Sequence, residues 1–339
     1  MKDAEIAEQI EKTWTVLSDS PDTNENEPFH RYRKFYEDDI TGIRIAKYFP
    51  GGFPELLVEI GKSETKPQID FPEWRGMVLE LAMLDTPSES TWHVSMRLEC
   101  EEHKPVFMDV CVDLIQDLYG IVNSKERRSA IADFLFMWSK FFETFNTGKL
   151  SRKRQQGLFG ELWWLRKLIY NGFTPEIAIS SWRGYGRTFY DFNFNGKVVE
   201  VKTTLSKEPR KIHISNERQL ENKGLKSLHL LVLTLLNENG EGETVADIIK
   251  SIREMLSTDR DFERRFILKL RDSGIIKSSE STFDEQFTVL LEELFFVDEN
   301  FPRLKDIPSG LADVNYSLLI ASCVNYKVEI DKYIENLKD

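Results

Sequence analysis

The amino-acid sequence predicts an α/β protein, and three observations support this expectation. Short runs of alternating apolar residues between turn residues fill much of the first 120 positions, and they indicate β-strands. Apolar residues recur at helical spacing from Ser124 onwards. The run LHLLVLTLL at 228–236 has the length of a buried strand. Because 339 residues exceed the usual size of a single core, we expect three regions, at 1–123, 124–240 and 241–339.

The first region is expected to be a β-rich α+β module. An amphipathic stretch at 6–17 predicts an opening helix, and a second helix is expected at 106–118. Four extended runs lie between them, at 43–49, 55–61, 75–84 and 91–100. The sequence of this region contains no motif that indicates a chemical activity.

The central region is expected to begin with two helices and to lead into a C-terminal α/β region. The first helix runs from Ser124 to about Phe145, where Asn146–Gly148 break it. Ser151 is a suitable N-cap for the second helix, which should end at Asn171–Gly172. In the C-terminal region we expect helices at Val245–Leu256 and Phe262–Arg271, and strands at 287–297 and 316–324.

The net charge of −12 argues against a nucleic-acid partner only if the charge is evenly spread. Residues 149–211 hold thirteen Lys and Arg but five Asp and Glu, a local charge of +8, so the rest of the chain carries −20. A basic region inside an acidic chain is typical of a local nucleic-acid-binding surface, although a solvated helix face can have the same composition.

Other global features argue against several classes of protein. The acidic start has no apolar core of a secretory signal, and no run of 18 apolar residues predicts a membrane span. Three cysteines without CxxC spacing indicate a reducing, cytoplasmic compartment. Five scattered histidines without HExxH spacing do not predict a zinc site.

The segment FYDFNFNGKVVEVKTT at 189–204 holds the strongest local signal. An Asn-Gly pair between two alternating runs predicts a hairpin with a type I′ turn. This register places Asp191 opposite Glu200. One face of the hairpin should then carry the polar residues Asp191, Asn193, Glu200 and Lys202. The other should be apolar and buried, with Tyr190, Phe192, Phe194, Val199 and Val201.

Facing carboxylates of Asp191 and Glu200 would repel each other unless a cation lies between them. With the Val201 carbonyl they would offer hard oxygen ligands suited to Mg²⁺, and Mn²⁺ is an alternative ion. Lys202, on the same face, could orient or deprotonate a water molecule or neutralise developing charge. The alternative is an exposed hairpin face on which Glu200 and Lys202 form a surface ion pair.

Glu161 adds a third acid, in the second helix of the central region. It falls inside the apolar arc of that helix, where a carboxylate is costly unless it is paired or binds a metal. Gly157 and Gly160 in the same helix indicate a close approach of its backbone to a neighbour or a ligand. The alternative is a helix-edge acid that reaches solvent or pairs with Arg154 or Arg166.

These residues in this order, a helix acid and then Asp and Glu-x-Lys on adjacent antiparallel strands, resemble the PD-(D/E)XK nuclease superfamily. The wider sequence resembles an uncharacterised bacterial family of that superfamily, often encoded near restriction and phage-defence genes. The resemblance covers nearly the whole chain, although Tyr190 replaces the usual Pro before the Asp. Its motifs are QQGLFGELWWL (155–165), SWRGYG (181–186), DFNFNGKVVEVKTT (191–204), KIHISNERQL (211–220) and FPRLKDIPSGLADVNYSL (301–318).

The resemblance implies a restriction-endonuclease-like central domain with a mixed sheet flanked by helices. It implies that Glu161 is the helix acid of a catalytic site, that Asp191 and Glu200 ligate the metal and that Lys202 is the catalytic lysine. The expected function is Mg²⁺-dependent DNA endonuclease activity in a bacterial restriction or phage-defence system. Residues around the site are expected to hold DNA: Arg152, Arg154, Gln155, Trp182, Arg183, Arg187, Lys207, Arg210, Lys211 and Gln219.

The expected partners are DNA, a companion methyltransferase or helicase and, because double-strand cutting by one site per chain favours a dimer, a second copy of the chain. One alternative is a catalytically silent nuclease-fold subunit that binds DNA or acts as a scaffold in such a system. Another is a purely structural interaction protein with a solvated hairpin, which would bind no divalent metal.

Overall fold

The computed structural model of the chain divides into two compact units, Met1–Asn146 and Thr147–Asp339. Each unit combines helices with a sheet, and the predicted α/β class is confirmed. Within the described residues, no helix is both long and apolar enough to cross a membrane. The structure describes residues 3–19, 28–36, 41–62, 66–85, 90–144, 150–184, 190–205, 208–237, 242–276, 283–305 and 314–338.

The first unit consists of an antiparallel sheet and three α-helices within its described residues. Its elements are α1 (Asp3–Ser18), β1 (Phe29–Lys34), β2 (Ile43–Phe49), β3 (Phe53–Gly61), β4 (Met77–Asp85), β5 (Ser90–Leu98), α2 (Lys104–Asp117) and α3 (Ser124–Thr144). The strand order is β1-β2-β3-β5-β4. The sequence pattern predicts all of these elements except β1, whose residues FHRYRK do not alternate between apolar and polar.

The second unit is built around a mixed sheet. Its elements are α4 (Arg152–Tyr170), α5 (Pro175–Ser181), β6 (Phe192–Phe194), β7 (Lys197–Leu205), β8 (Lys211–Ile214), β9 (Ser227–Leu236), α6 (Val245–Leu256), α7 (Arg260–Asp272), β10 (Thr288–Phe296), β11 (Tyr316–Leu319), β12 (Lys327–Val328) and α8 (Ile330–Lys338). The sheet order is β12-β10-β9-β7-β6, with β7 and β9 parallel and the other pairs antiparallel. β8 and β11 form a separate antiparallel pair.

The helix α4 begins where the sequence predicts. The Ser151 hydroxyl accepts a hydrogen bond from the Arg154 N–H at 3.4 Å, which satisfies one of the amides that a helix start leaves unpaired. At the other end, Asn171 caps the helix and Gly172 follows with a φ of +88°, which glycine adopts without strain. These ends fix the position of the helix that carries Glu161.

The strand β7 is covered on both faces. It lies inside the sheet between β6 and β9. On one face, α4 approaches so closely that a Cβ on Gly160 would lie 2.5 Å from the Thr203 methyl carbon. On the other face, Val198 belongs to an apolar cluster with residues of β8, β9, β10 and β11. A strand in this position is normally apolar throughout, so its two central charged residues need a specific explanation.

Two local expectations about the second unit are wrong. The strand expected at 316–324 ends at Leu319, because the Ile320 N–H turns to the Arg210 carbonyl at 3.1 Å and a 3₁₀ helix follows. Tyr190 packs against the cluster that contains Val198 and therefore lies on the face opposite to the one expected. The reason is that the hairpin ladder begins only at residue 192, so the alternation of faces does not extend to Tyr190.

The three-region division at 123/124 and 240/241 stays a prediction about folding units. In the structure, the helix that begins at Ser124 belongs to the first compact unit. Strands from the expected C-terminal region, β10 and β12, complete the sheet that contains β7. The residues around β7 are therefore positioned by chain segments on both sides of position 240.

We expect Gly160→Ala to lower the free energy of unfolding by about 1–3 kcal/mol. The new methyl group would overlap the Thr203 methyl group, and this cost outweighs the better helix propensity of Ala. Gly157→Ala is the matched control in the same helix. No described atom lies within 4 Å of its Cβ position, so this variant should gain about 0.5–1 kcal/mol. Urea denaturation measures both, and equal effects would contradict close packing of α4 on β7.

Candidate active site

The two charged residues in the middle of β7 form a buried ion pair. Glu200 has no exposed surface, and the Lys202 Nζ lies 2.5 Å from its Oε1, with the Lys202 side chain 16% exposed. The second oxygen of Glu200, Oε2, is buried and receives no hydrogen bond from any described residue. The alternative in which Glu200 and Lys202 lie on a solvated hairpin face is therefore wrong.

The hairpin β6–β7 forms with the predicted turn and register. Asn195 and Gly196 have φ values of +52° and +92°, as a type I′ turn requires. The Asn193 side-chain oxygen accepts a hydrogen bond from the Gly196 N–H at 2.8 Å and reinforces the turn. Phe192 pairs with Val199, which confirms the predicted register over the length of β6.

Asp191 lies one residue before β6, and three contacts hold it beside β7. Its Oδ2 accepts a hydrogen bond from the Val201 N–H at 2.7 Å. Its backbone carbonyl accepts one from the Arg183 N–H at 2.8 Å. Its carboxyl group lies near that of Glu200, and the two interact electrostatically. The hairpin therefore brings the two acids together as the sequence predicts, although they are not a ladder pair.

Glu161 is the third acid, and a buried tryptophan holds its carboxylate. The indole Nε1 of Trp182 donates to Glu161 Oε2 at 2.7 Å, and Trp182 has no exposed surface. Trp182 is itself fixed from α7, because Lys269 Nζ donates to its backbone carbonyl and the Phe266 ring lies 6.3 Å from its ring. The orientation of Glu161 thus depends on residues from three separate elements.

Neither ion pair expected as the alternative for Glu161 is its main contact. Arg166 makes a bidentate pair with Glu243, at 2.6 and 2.7 Å. Arg154 donates to the Ser273 carbonyl at 2.8 Å and affects Glu161 through its charge. The charges that act on Glu161 are those of Asp191, Lys202 and Arg154.

Burial shifts the titration of all four groups. It raises the pKa of Glu161 to about 8. The negative charge of Asp191 raises this pKa further, whereas the hydrogen bond from Trp182 lowers it. Burial also raises the pKa of Asp191, and burial followed by the Asp191 charge raises that of Glu200 well above its usual range. Burial opposes the charged form of Lys202, but Glu200 and Asp191 together raise its pKa. The ammonium group of Lys202 thus interacts with three carboxyl groups whose pKa values are all raised.

Two residues expected to contact DNA lie in the interior instead. Trp182 is fully buried on Glu161, as described above. Gln155 is 1% exposed, its amide donates to the Leu150 carbonyl at 3.0 Å and its oxygen accepts from the Glu285 N–H at 3.4 Å. The expectation of DNA contact is therefore wrong for both, because helix-flank and loop positions in the sequence do not reveal burial by distant segments.

The basic residues expected at the DNA surface have different environments. Arg152 pairs with Glu285 at 3.0 Å and Arg210 pairs with Glu293 at 2.7 Å. Lys211 is exposed at the start of β8, and Arg183 is partly buried. The Gln219 side-chain oxygen accepts hydrogen bonds from the backbone and hydroxyl of Ser215. Two further expected residues, Arg187 and Lys207, lie outside the described residues.

Sequence reasoning missed the role of Trp182 and Lys269 in holding Glu161. An apolar-arc carboxylate needs a buried donor, and this requirement could have directed attention to an indole. Lys269 gives no such signal, because it lies 87 residues from Trp182 and only the packing of α7 brings them together.

A second group of potential metal ligands occurs in the first unit. Ligand atoms of Cys100, Glu102 and His103 lie within 4.8 Å of one another, a group that the spacing of the histidines does not predict. Among the described residues this is the only trio so close, and the three acids of the second unit are more widely spread. Glu102 is exposed, and we assign no ion to this group.

The raised carboxyl pKa values predict a stability that falls with rising pH when divalent metal is removed. Below about pH 4.5, Glu161 is protonated in both the folded and the unfolded chain; between pH 4.5 and about 8 only the folded chain keeps the proton. The free energy of unfolding should therefore fall over this window, by up to about 1.4 kcal/mol per pH unit for each such group.

Denaturation in EDTA at a series of pH values measures this slope. Glu161→Gln should make the slope shallower, because the amide does not titrate, while Asp191 and Glu200 keep part of it. An unchanged slope in Glu161→Gln would contradict the assignment of a protonated Glu161.

One family comparison matches the chain. A family model described as "Putative PD-(D/E)XK family member, (DUF4420)" matches residues 10–321, a range that includes Glu161, Asp191, Glu200 and Lys202. Searches of curated proteins and of solved structures found no match. The family match covers most of both compact units and confirms the resemblance found in the motifs. The chain therefore belongs to this PD-(D/E)XK family, whose description indicates a nuclease-like fold.

Proposed function

We propose that this chain is a Mg²⁺-dependent DNA endonuclease that hydrolyses phosphodiester bonds in a bacterial restriction or phage-defence system in the cytoplasm. One observation carries the proposal: Glu200 is fully buried, and its Oε2 has no donor among the described residues although Asp191 lies beside it. The single ammonium of Lys202 cannot neutralise both carboxylates, so the pair requires a second cation or a proton. Family membership supports the class, because PD-(D/E)XK nucleases typically use divalent metals.

The residues present fit a divalent metal of the Mg²⁺ or Mn²⁺ type. Asp191 and Glu200 supply adjacent carboxylate oxygens, which such hard cations prefer. The Val201 N–H points to Asp191, and because the N–H and C=O of a strand residue share one direction, its carbonyl is the third candidate ligand. Glu161 interacts electrostatically with Asp191 and Lys202 and would act on the site through its charge and its proton.

A bound Mg²⁺ would neutralise negative charge on the scissile phosphate and lower the pKa of an attacking water molecule. Glu200 and Asp191 raise the pKa of Lys202, so its amine stays protonated. Its proposed role is therefore to stabilise developing negative charge and not to accept a proton. Glu161, with a pKa of about 8, changes its protonation near neutral pH and is our candidate for proton exchange with water. Trp182 keeps that carboxyl group in position.

The DNA backbone is the proposed ligand of the basic residues around this site. Arg152 and Arg210 are already paired with acids, so they contribute less net charge than their number suggests. Lys211 is exposed, and the Nε of Arg183 is buried without a hydrogen-bond partner among the described residues. We therefore propose these two as phosphate contacts, together with Arg187 and Lys207.

The partners belong to the same proposal. Cutting both strands of a duplex with one site per chain favours two copies, so we propose a homodimer on DNA. A companion methyltransferase or helicase would supply site choice or translocation in a restriction system. Support for this part comes from the motif resemblance and not from a contact in the structure.

Plasmid cleavage tests the proposal. In the presence of Mg²⁺ the wild-type chain should nick or linearise plasmid DNA, and EDTA should abolish this. Glu200→Ala and Lys202→Ala should each lose more than about 100-fold in rate, because the first removes a metal ligand and the second removes the positive charge that stabilises developing negative charge. The matched controls are Glu254→Ala and Lys250→Ala, exposed residues of the same two types on α6, which should cut like wild type.

Two outcomes would contradict the proposal. DNA retention without cuts in every variant would favour a catalytically silent DNA-binding or scaffolding subunit. Cleavage that persists in Glu200→Ala and Lys202→Ala would show that another site, or a contaminant, cuts the DNA. If the wild-type chain does not cut DNA alone, the companion methyltransferase or helicase is added. Cleavage that then appears indicates an incomplete assembly, and its continued absence indicates an inactive fold.

A further inference from the structure

A cavity of about 300 Å³ opens at the C-terminal end of β7, directly after Lys202. Strand residues are spaced by about 3.3 Å, so Thr203 and Leu205 follow Lys202 along the strand by about 3 and 10 Å. The cavity is thus adjacent to the proposed reaction site. Its wall includes Gln156 of α4, Lys211 and His213 of β8, and Ser317 of β11.

The cavity wall carries basic residues and no acidic residue. None of the nine lining residues is Asp or Glu, although the chain holds 57 acids against 45 Lys and Arg. Lys211 and His213 are exposed and alternate along β8 with the buried Ile212 and Ile214, so both side chains project to one side. The wall therefore offers positive charge without a competing carboxylate.

Neutral hydrogen-bond donors complete the wall. Gln156 Nε2 donates to Thr203 Oγ1 at 3.1 Å, so the Thr203 oxygen serves as acceptor there and its own proton can be donated to a ligand. Ser317 pairs with His213 across β8 and β11, which places a second hydroxyl at the same edge. Leu205 and Pro209 add apolar side chains to the lining.

We propose that this cavity binds a backbone phosphate of the DNA strand next to the scissile bond. Lys211 would pair with the phosphate, and the Thr203 hydroxyl would donate to it, while the apolar surface contacts the neighbouring sugar. One cation with neutral donors and no carboxylate suits a singly charged phosphodiester. This inference rests on the proposed nuclease function and adds a defined binding position for the DNA strand next to the scissile bond.

Binding of a short DNA duplex, with Ca²⁺ in place of Mg²⁺ to prevent cleavage, tests the inference on the full chain. Lys211→Ala should weaken binding by about 5- to 10-fold and reduce the slope of log affinity against log salt by about one. Thr203→Val should weaken binding by about 3- to 10-fold without changing the slope, because it removes a neutral donor. Thermal melting confirms that each variant is folded.

The matched control is Lys226→Ala. Lys226 is exposed and its N–H donates to the Gly196 carbonyl at the opposite end of β7, so this variant should bind DNA like wild type. If the wild-type chain binds DNA and Lys211→Ala binds it with the same affinity and the same salt slope, this inference is overturned and the nuclease proposal remains intact. Failure of the wild-type chain to bind DNA at low salt would overturn both.

Inorganic phosphate separates a DNA site from a site for free anions. Phosphate should compete with DNA weakly in wild type and less in Lys211→Ala. If phosphate stabilises wild type but not Lys211→Ala in thermal melts, while both bind DNA equally, the cavity is a free-anion site and the inference is wrong.

Discussion

The proximity of two carboxyl groups, that of the fully buried Glu200 and that of the half-buried Asp191, is the constraint on which the second unit depends. Burial raises the pKa of both, and the ammonium group of Lys202 offsets only part of the cost. Apolar packing on both faces of β7 must therefore offset the free-energy cost of burying these charged groups. Groups retained at such a cost are typical of functional sites, and here a divalent cation would remove the repulsion that the fold otherwise tolerates.

Local features of the site could be predicted from the sequence, because each depends on a few neighbouring residues. The turn at Asn195–Gly196 set the register of β6 and β7, and Ser151 marked the start of the helix that carries Glu161. Features that depend on distant segments could not be predicted. Glu200 is buried because β8 and β11 cover the face of the sheet on which it lies, the same face as Val198. Trp182 is held against Glu161 only through the packing of α7.

The basic region between 149 and 211 is less positive in three dimensions than in sequence. Acids from the segment after residue 240 pair with several of its members, which the composition of the region alone does not show. These pairs are Arg152–Glu285, Arg166–Glu243, Lys167–Glu292 and Arg210–Glu293. Lys211, by contrast, is exposed and lines the cavity at the end of β7. Pairing with these acids therefore makes the region less positive than its own composition suggests.

Calorimetric titration of Mg²⁺ into the metal-free chain near pH 7.5 tests the central claim most directly. Because the carboxyl pKa values are raised, metal binding should displace protons, and the measured heat should depend on the ionisation enthalpy of the buffer. We expect saturable binding with proton release in the wild type, and its loss in Asp191→Asn and Glu200→Gln. Absence of saturable binding, or binding that both substitutions leave unchanged, would contradict the assignment of these acids as a metal site.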